Sequence, residues 1–299
     1  MDIKDYIDKN RQRMLDELFD LLRIPSVSAD PAFSNDVKHC AEAVANSLRD
    51  AGASNVEVLA TPGHPIVFGE YHVSDEVPTV LVYGHYDVQP ADPIDLWDNP
   101  AFEPIIKITP THPEGAIFAR GSCDDKGQMF MHVKALESMK ASGNVPCNIK
   151  FIIEGEEEVG SSHLDAFLEN HKDKLAADVV LVSDTGIIAN DIPSITVGLR
   201  GLSYVEVEVT GPNRDLHSGL YGGSAPNPIN ILCEMIASLK DEDQRITVEG
   251  FYDDVHELTK EEREAMAKAP FNEASHRESI GIGAHEGEPH YSPAERMSI

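Results

Sequence analysis

Four short segments carry residue types that bind or work beside divalent metals: His85-x-Asp87, Asp124-Asp125, Glu157-Glu158 and Asp184. Their order, with one supersecondary unit between neighbours, suits a site for two divalent cations with a carboxylate beside it. The chemistry of such a site is activation of water for hydrolysis of an amide or ester. Each segment has an ordinary alternative. His85-x-Asp87 alone would pass for a polar turn, Asp124-Asp125 for the cap of a following helix, and Glu156-Glu157-Glu158 for a solvated loop. Asp184 alone is a common kind of strand end. Taken as chemistry, Asp87 would hold one ring nitrogen of His85 while the other meets metal. Adjacent glutamates could divide the work, one binding metal and one serving as general base.

The elements that must position these residues alternate. Ile3, Ile7, Met14, Leu15, Leu18, Leu21 and Leu22 recur at helical spacing before Pro25, and a second helix is predicted over 36–50 ahead of Gly52. Apolar runs at 78–83, 148–153 and 178–182 read as strands, with helices predicted over 127–140 and 161–175. Alternating strands and helices imply an α/β fold: a three-layer αβα domain with a mostly parallel sheet. Ligands of open α/β sheets gather beyond the carboxyl ends of the strands. His85, Asp87, the acids from Glu154 to Glu158, and Asp184 all fall there. Acids converging on one edge need partners, and metal ions would supply them.

The pattern changes after Pro193. Residues 203–210 alternate as a half-exposed strand would, and 226–239 reads as an amphipathic helix, so a second, α+β domain is expected. The boundaries are 1–195 for the first domain and 196–299 for the second. A helix is predicted over 259–268, and 271–299 shows no core pattern. His217 lies in a glycine-rich loop, Asp215-Leu216-His217-Ser218-Gly219 with Tyr221-Gly222-Gly223, suited to close approach of a substrate or another backbone. His39, His112, His132, His163 and His171 have no partner acid at useful spacing, which points to surface or packing roles.

Composition narrows the classes further. With 52 acidic and 24 basic residues the formal charge is −28. Such a surface repels nucleic acid and anionic membranes and suits solubility at high ionic strength. Cys40, Cys123, Cys147 and Cys233 form no C-x-x-C pair, which favours free thiols in a reducing compartment. No run approaches the roughly 20 apolar residues of a membrane helix, and the N-terminus lacks a signal-peptide pattern; a cytoplasmic location is expected. G-x-S-x-G and P-loop motifs are absent, and Gly281-x-Gly283 follows no strand pattern. Cys123 precedes two acids that would blunt a thiol nucleophile.

Four motifs in order, Gly84-His85-Tyr86-Asp87-Val88-Gln89-Pro90, Arg120-Gly121-Ser122-Cys123-Asp124-Asp125-Lys126-Gly127, Glu154-Gly155-Glu156-Glu157-Glu158-Val159-Gly160-Ser161 and Leu216-His217-Ser218-Gly219-Leu220-Tyr221-Gly222-Gly223, resemble the dinuclear zinc peptidases of the carnosinase and carboxypeptidase G type. The resemblance runs to about Pro228, and Tyr86, Gln89 and Asp124-Asp125 look most like the dipeptidase branch. It implies that Asp124 bridges two Zn²⁺ (or Mn²⁺ or Co²⁺) ions, with His85 and Asp184 completing one site and Glu158 binding the second. Glu157 would be the general base, Asp87 would orient His85, and the peptide bond after Asp124 would be cis. His217 would reach from a lid domain into the active site of a homodimer partner and polarise the scissile carbonyl of a small peptide.

One departure stands out. The family's last metal ligand is a histidine near the C-terminus, and nothing after His217 fits that place: His256, His276, His285 and His290 all fall within the lid. The sequence thus reads as a chain ending at Ile299 in mid-lid, keeping one whole metal site and half of another, with an exposed sheet edge. Three functions follow as expectations: a metal-dependent dipeptidase, an N-acyl-amino-acid amidohydrolase on the same scaffold, or a catalytically incomplete fragment that binds one metal.

Overall fold

The computed structural model describes residues 2–187, 192–196 and 198–298. Ile299, at which the sequence places the end of the second domain, lies outside them. The chain divides into two compact units, Met1–Gly186 and Ile187–Ile299.

The first unit opens with helices α1 (Ile3–Leu22) and α2 (Ser34–Ala51). Gly52 ends α2 at φ +98°, a left-handed conformation that a side chain would strain. Strands β1 (Ser54–Leu59), β2 (Ile66–Tyr71) and β3 (Thr79–His85) follow. A separate antiparallel hairpin, β4 (Ile105–Thr109) and β5 (His112–Phe118), precedes helix α3 (Lys126–Ser142). Then come β6 (Asn148–Glu154), the short helices α4 (Leu164–Asn170) and α5 (Lys172–Leu175), and β7 (Val179–Val182).

The main sheet has the order β1-β2-β6-β3-β7. β3 runs parallel to β6 and β7, while β2 is antiparallel to both β6 and β1. Four strands therefore share one direction and β2 opposes them, in keeping with the mostly parallel sheet expected. On one face α1, α2 and α3 bury Leu21, Val44, Leu48, Met129, Val133 and Leu136 against Val67, Val82, Phe151 and Ile153. On the other, Phe167 of α4 and Leu175 of α5 cover Ile66, Phe68, Leu81 and Ile152. These are the three layers. The apolar run of β7 forms a strand as predicted but lies at the edge, with Val179 to Val182 all exposed.

The second unit contains α6 (Ser218–Tyr221), α7 (Pro228–Ala237), α8 (Lys260–Met266), α9 (Glu273–Ile280) and α10 (Pro293–Ser298). α8 starts with a capping box, Thr259 and Glu262 satisfying each other's backbone N–H groups.

Two expectations need correction. Residues 203–210 form no strand, and Tyr204 is 92% exposed; an alternating segment becomes a strand only when a neighbour meets its backbone hydrogen bonds, and no other described segment does so. The predicted 161–175 helix begins only at Leu164, because Gly160 and Ser161 both hold left-handed φ, and it is interrupted at His171, whose φ −124° and ψ 20° are not helical. Residues 271–298, where no core pattern is expected, contain α9 and α10, and among the described residues there only Glu295 is buried. The N-cap of α9 is Asn272, whose side chain accepts from the Ser275 N–H. Among the described residues no helix is long and apolar enough to cross a membrane.

Candidate metal centre

Parallel register brings the chemistry to one sheet edge. His85 is the last residue of β3 and pairs in register with Glu154, the last residue of β6. Tyr83 pairs with Val182 of β7, which places Asp184, two residues on, beside the same edge. The chain leaving β3 is fastened immediately. The Tyr86 N–H donates to Glu154 O at 2.9 Å, Ser26 Oγ donates to Tyr86 O at 2.6 Å, and the Val88 N–H donates to Ser26 O at 3.0 Å.

His85 is wholly buried. Its Nδ1 lies 3.1 Å from the Asp87 carbonyl oxygen and 3.4 Å from Asp87 Oδ1. Its Nε2 makes no hydrogen bond, yet faces Asp124 Oδ1 at 3.2 Å, Asp184 Oδ2 at 3.6 Å and Glu157 Oε2 at 3.9 Å. The donor atoms of His85, Asp124 and Asp184 all lie within 4.8 Å of one another and could hold a metal ion. The spacing fits: nitrogen and oxygen ligands about 2.0–2.1 Å from a tetrahedral cation stand about 3.3 Å apart. A buried imidazole nitrogen without a hydrogen bond, ringed by carboxylates at that distance, matches the chemistry of a divalent cation's donor set.

Charge crowding points the same way. Burial would push the His85 pKa down, but the hydrogen bond and charge of Asp87, with Asp125 and Glu157 nearby, raise it to about 10. Burial lifts Asp125 to about 7 despite the His85 N–H that it accepts. Burial also raises Glu157, against the pull of His85. The edge carries more negative charge than its own side chains neutralise.

The loop before α3 is built to sit close. The Asp124–Asp125 peptide is cis, as the resemblance implied. Asp125 Oδ2 accepts the His85 N–H at 3.0 Å, and a Cβ on Gly84 would lie 2.7 Å from that oxygen, so only glycine fits there. Lys126, fully buried, donates from Nζ to Leu21 O at 3.2 Å and Ile24 O at 2.7 Å, tying the loop to the end of α1.

Glu157 and Glu158 lie on a single 3₁₀ turn, Glu157–Val159. Asp87 holds that turn as well, its two carboxylate oxygens accepting the N–H groups of Glu157 at 3.3 Å and Glu158 at 3.1 Å. Glu158 itself is drawn aside. Its carboxylate accepts from Gln89 Nε2 at 2.7 Å and the Gln89 N–H at 3.2 Å, and it stands outside the His85–Asp124–Asp184 group. His217 belongs to the second unit, where its Nδ1 accepts the Gly219 N–H at 3.0 Å and caps α6.

Sequence reasoning overlooked the roles of Gln89, Lys126 and Ser26, none of which has a spacing that announces its partner. It was also wrong about His163. That ring does have a partner acid, Glu156, at 2.8 Å, because the turn folds positions seven apart onto each other.

Comparison with known proteins agrees with this geometry. Residues 81–295 match the model of peptidase family M20/M25/M40. The chain is 32% identical over 289 residues to a Cys-Gly metallodipeptidase of Schizosaccharomyces pombe, covering 93% of this chain and 60% of that one. It is 34% identical over 272 residues to the human Beta-Ala-His dipeptidase, covering 86% and 52%. The structure of human carnosine dipeptidase 1 superposes with a TM-score of 0.80 at 30% identity, covering 98% of this chain and 63% of that one. The chain thus spans between half and two thirds of the length of these relatives. On the family match over most of its length, the chain belongs to peptidase family M20/M25/M40.

Proposed function

We propose that this chain carries the metal centre of a dipeptidase, a hydrolase of peptide bonds in dipeptides and short peptides. The carrying observation is the His85 Nε2 atom, buried and unbonded, at the focus of Asp124, Asp184 and Glu157. His85, Asp124 and Asp184 hold one divalent ion, zinc, manganese or cobalt; Asp124 and Glu158 contribute to a second. When bound, such ions would lower the pKa of water to about 7. Glu157 takes the proton released as water attacks the carbonyl and delivers it to the amine nitrogen as the C–N bond breaks. Burial raises its pKa in the direction a general base needs. Asp87 fixes the His85 ring and the turn that bears Glu157.

The names of the relatives, Cys-Gly metallodipeptidase and Beta-Ala-His dipeptidase, support dipeptides as the substrate class. Residues 1–195 act as the catalytic domain and 196–299 as a lid, from which His217 polarises the substrate carbonyl across a homodimer. The apolar surface that α7 leaves exposed at Ile229, Met235 and Ile236 supports self-association through this domain. Four free cysteines support a reducing, cytoplasmic location.

A second reading, a metal-binding chain with one ion and no turnover, draws on Glu158 being held by Gln89. One experiment separates the two: bound metal per chain after dialysis against zinc, with turnover of Cys-Gly, β-Ala-His and N-acyl amino acids. The dipeptidase reading expects two ions and dipeptide turnover that falls at least about 100-fold in Glu157→Gln. One ion without turnover favours the second reading. No bound ion overturns both.

A further inference from the structure

Glu154 ends β6 level with His85 and is almost fully buried. Its Oε1 accepts two hydrogen bonds, from Tyr83 Oη at 2.6 Å and from Ser161 Oγ at 2.9 Å. Tyr83 belongs to β3, two residues before His85. Ser161 closes the turn that carries Glu157 and Glu158, its N–H donating to Glu156 O at 2.8 Å. The 157–160 turn therefore hangs between two buried carboxylates: Asp87 holds the N–H groups at its start, and Glu154 holds the hydroxyl at its end.

Ser161 stands at φ +50°, a left-handed backbone that residues other than glycine seldom occupy. Glycine would suit that backbone and would lack the hydroxyl. A side chain kept where the backbone disfavours it directs attention to what the side chain does. Here it links the turn, through Glu154 and Tyr83, to the strand that presents His85.

We propose that Tyr83, Glu154 and Ser161 form a strut that positions Glu157 against the His85 group, and that they are positioning residues for the reaction. This rests on the reading of Glu157 as general base. The strut sets the distance between the base and the metal-binding edge, because Tyr83 and Glu154 stand on paired strands of one sheet and Ser161 ties the turn to them.

The test is Ser161→Gly in the full chain, with Tyr83→Phe as a second variant. Ser161→Gly relieves the backbone and removes the hydroxyl, so it separates fold from positioning. The expected result is kcat for a dipeptide down about tenfold or more, because small misplacements of reacting groups are costly. KM, bound metal and Tm should hold. Amide hydrogen exchange across 157–160 should rise about tenfold, in line with a turn released at one end, and elsewhere stay unchanged. Tyr83→Phe should move the same readouts in the same direction. Wild-type kcat and wild-type exchange in Ser161→Gly would overturn the strut, as would a loss of rate that only tracks lost metal or lowered Tm. If the unaltered chain hydrolyses no dipeptide, the base reading fails by itself. Exchange across 157–160 then decides the strut, unchanged protection overturning it.

Discussion

Helices α2 and α7 are both amphipathic, and the two units treat them differently. α2 buries Val37, Cys40, Ala41, Val44, Ala45, Leu48 and Ala51 under the sheet of the first unit. α7 buries nothing: Ile229 is 67% and Ile236 50% exposed. Among the described residues after Gly186, Glu295 alone is buried. An amphipathic pattern thus states which face a helix can bury, while a core forms only where a second apolar surface meets it. The candidate metal edge lies in the unit where that condition holds. Its donor atoms are set by strands whose positions a packed core fixes, as a precise site requires.

The contrast can be broken by mutation. Phe151→Ala, in the middle of β6 and fully buried, should cost the first unit about 3–5 kcal/mol, whereas Ile229→Ala on α7 should cost less than about 0.5 kcal/mol. Denaturant unfolding of each variant measures both, and equal losses would dissolve the distinction between the units. Metal addition sharpens it next. Zinc at 100 times its dissociation constant should stabilise the first unit by about 2.7 kcal/mol, and His85→Ala should abolish the gain. Hydrogen exchange that slows only before Gly186 would bear this out.

The smallest effect is a pH dependence on the α1–α3 seam. Burial would raise the Glu137 carboxyl, but Arg13, Lys134 and Tyr6 donate to it and hold its pKa down to about 2. A folded pKa below the unfolded value stabilises the protein at pH above about 4.5, and that stability is lost as pH falls from there towards 2. Glu137→Gln should remove on the order of 1–2 kcal/mol at neutral pH and flatten the acid limb of the stability curve. An unchanged acid limb would mean that the seam contributes nothing specific to the first unit.

The grouping of His85, Asp124 and Asp184 was more legible in the sequence than the structure of the second unit. His85, Asp124 and Asp184 were legible because each follows an apolar strand or opens a helix, and parallel strands deliver their ends to one edge. The hydrogen bonds from Gln89 to Glu158 were not, since no spacing says which of several donors a carboxylate will choose. β1 and β2 escaped notice because Gly69 and Glu70 interrupt the apolar run in β2, and Ser54 to Leu59 is half polar. The 203–210 alternation misled for the opposite reason: the period was that of a strand, but no segment among the described residues pairs with it.

Asp87 has a consequence of its own. One carboxylate restrains the imidazole that meets the metal edge and also grips both amides of the turn bearing Glu157 and Glu158. Two functional groups riveted to one side chain share its thermal motion, so the gap between them varies less than the position of either. The same rivet removes independence. A change at residue 87 would shift the His85 ring and the 157–159 turn together, so no substitution at that position adjusts one while sparing the other.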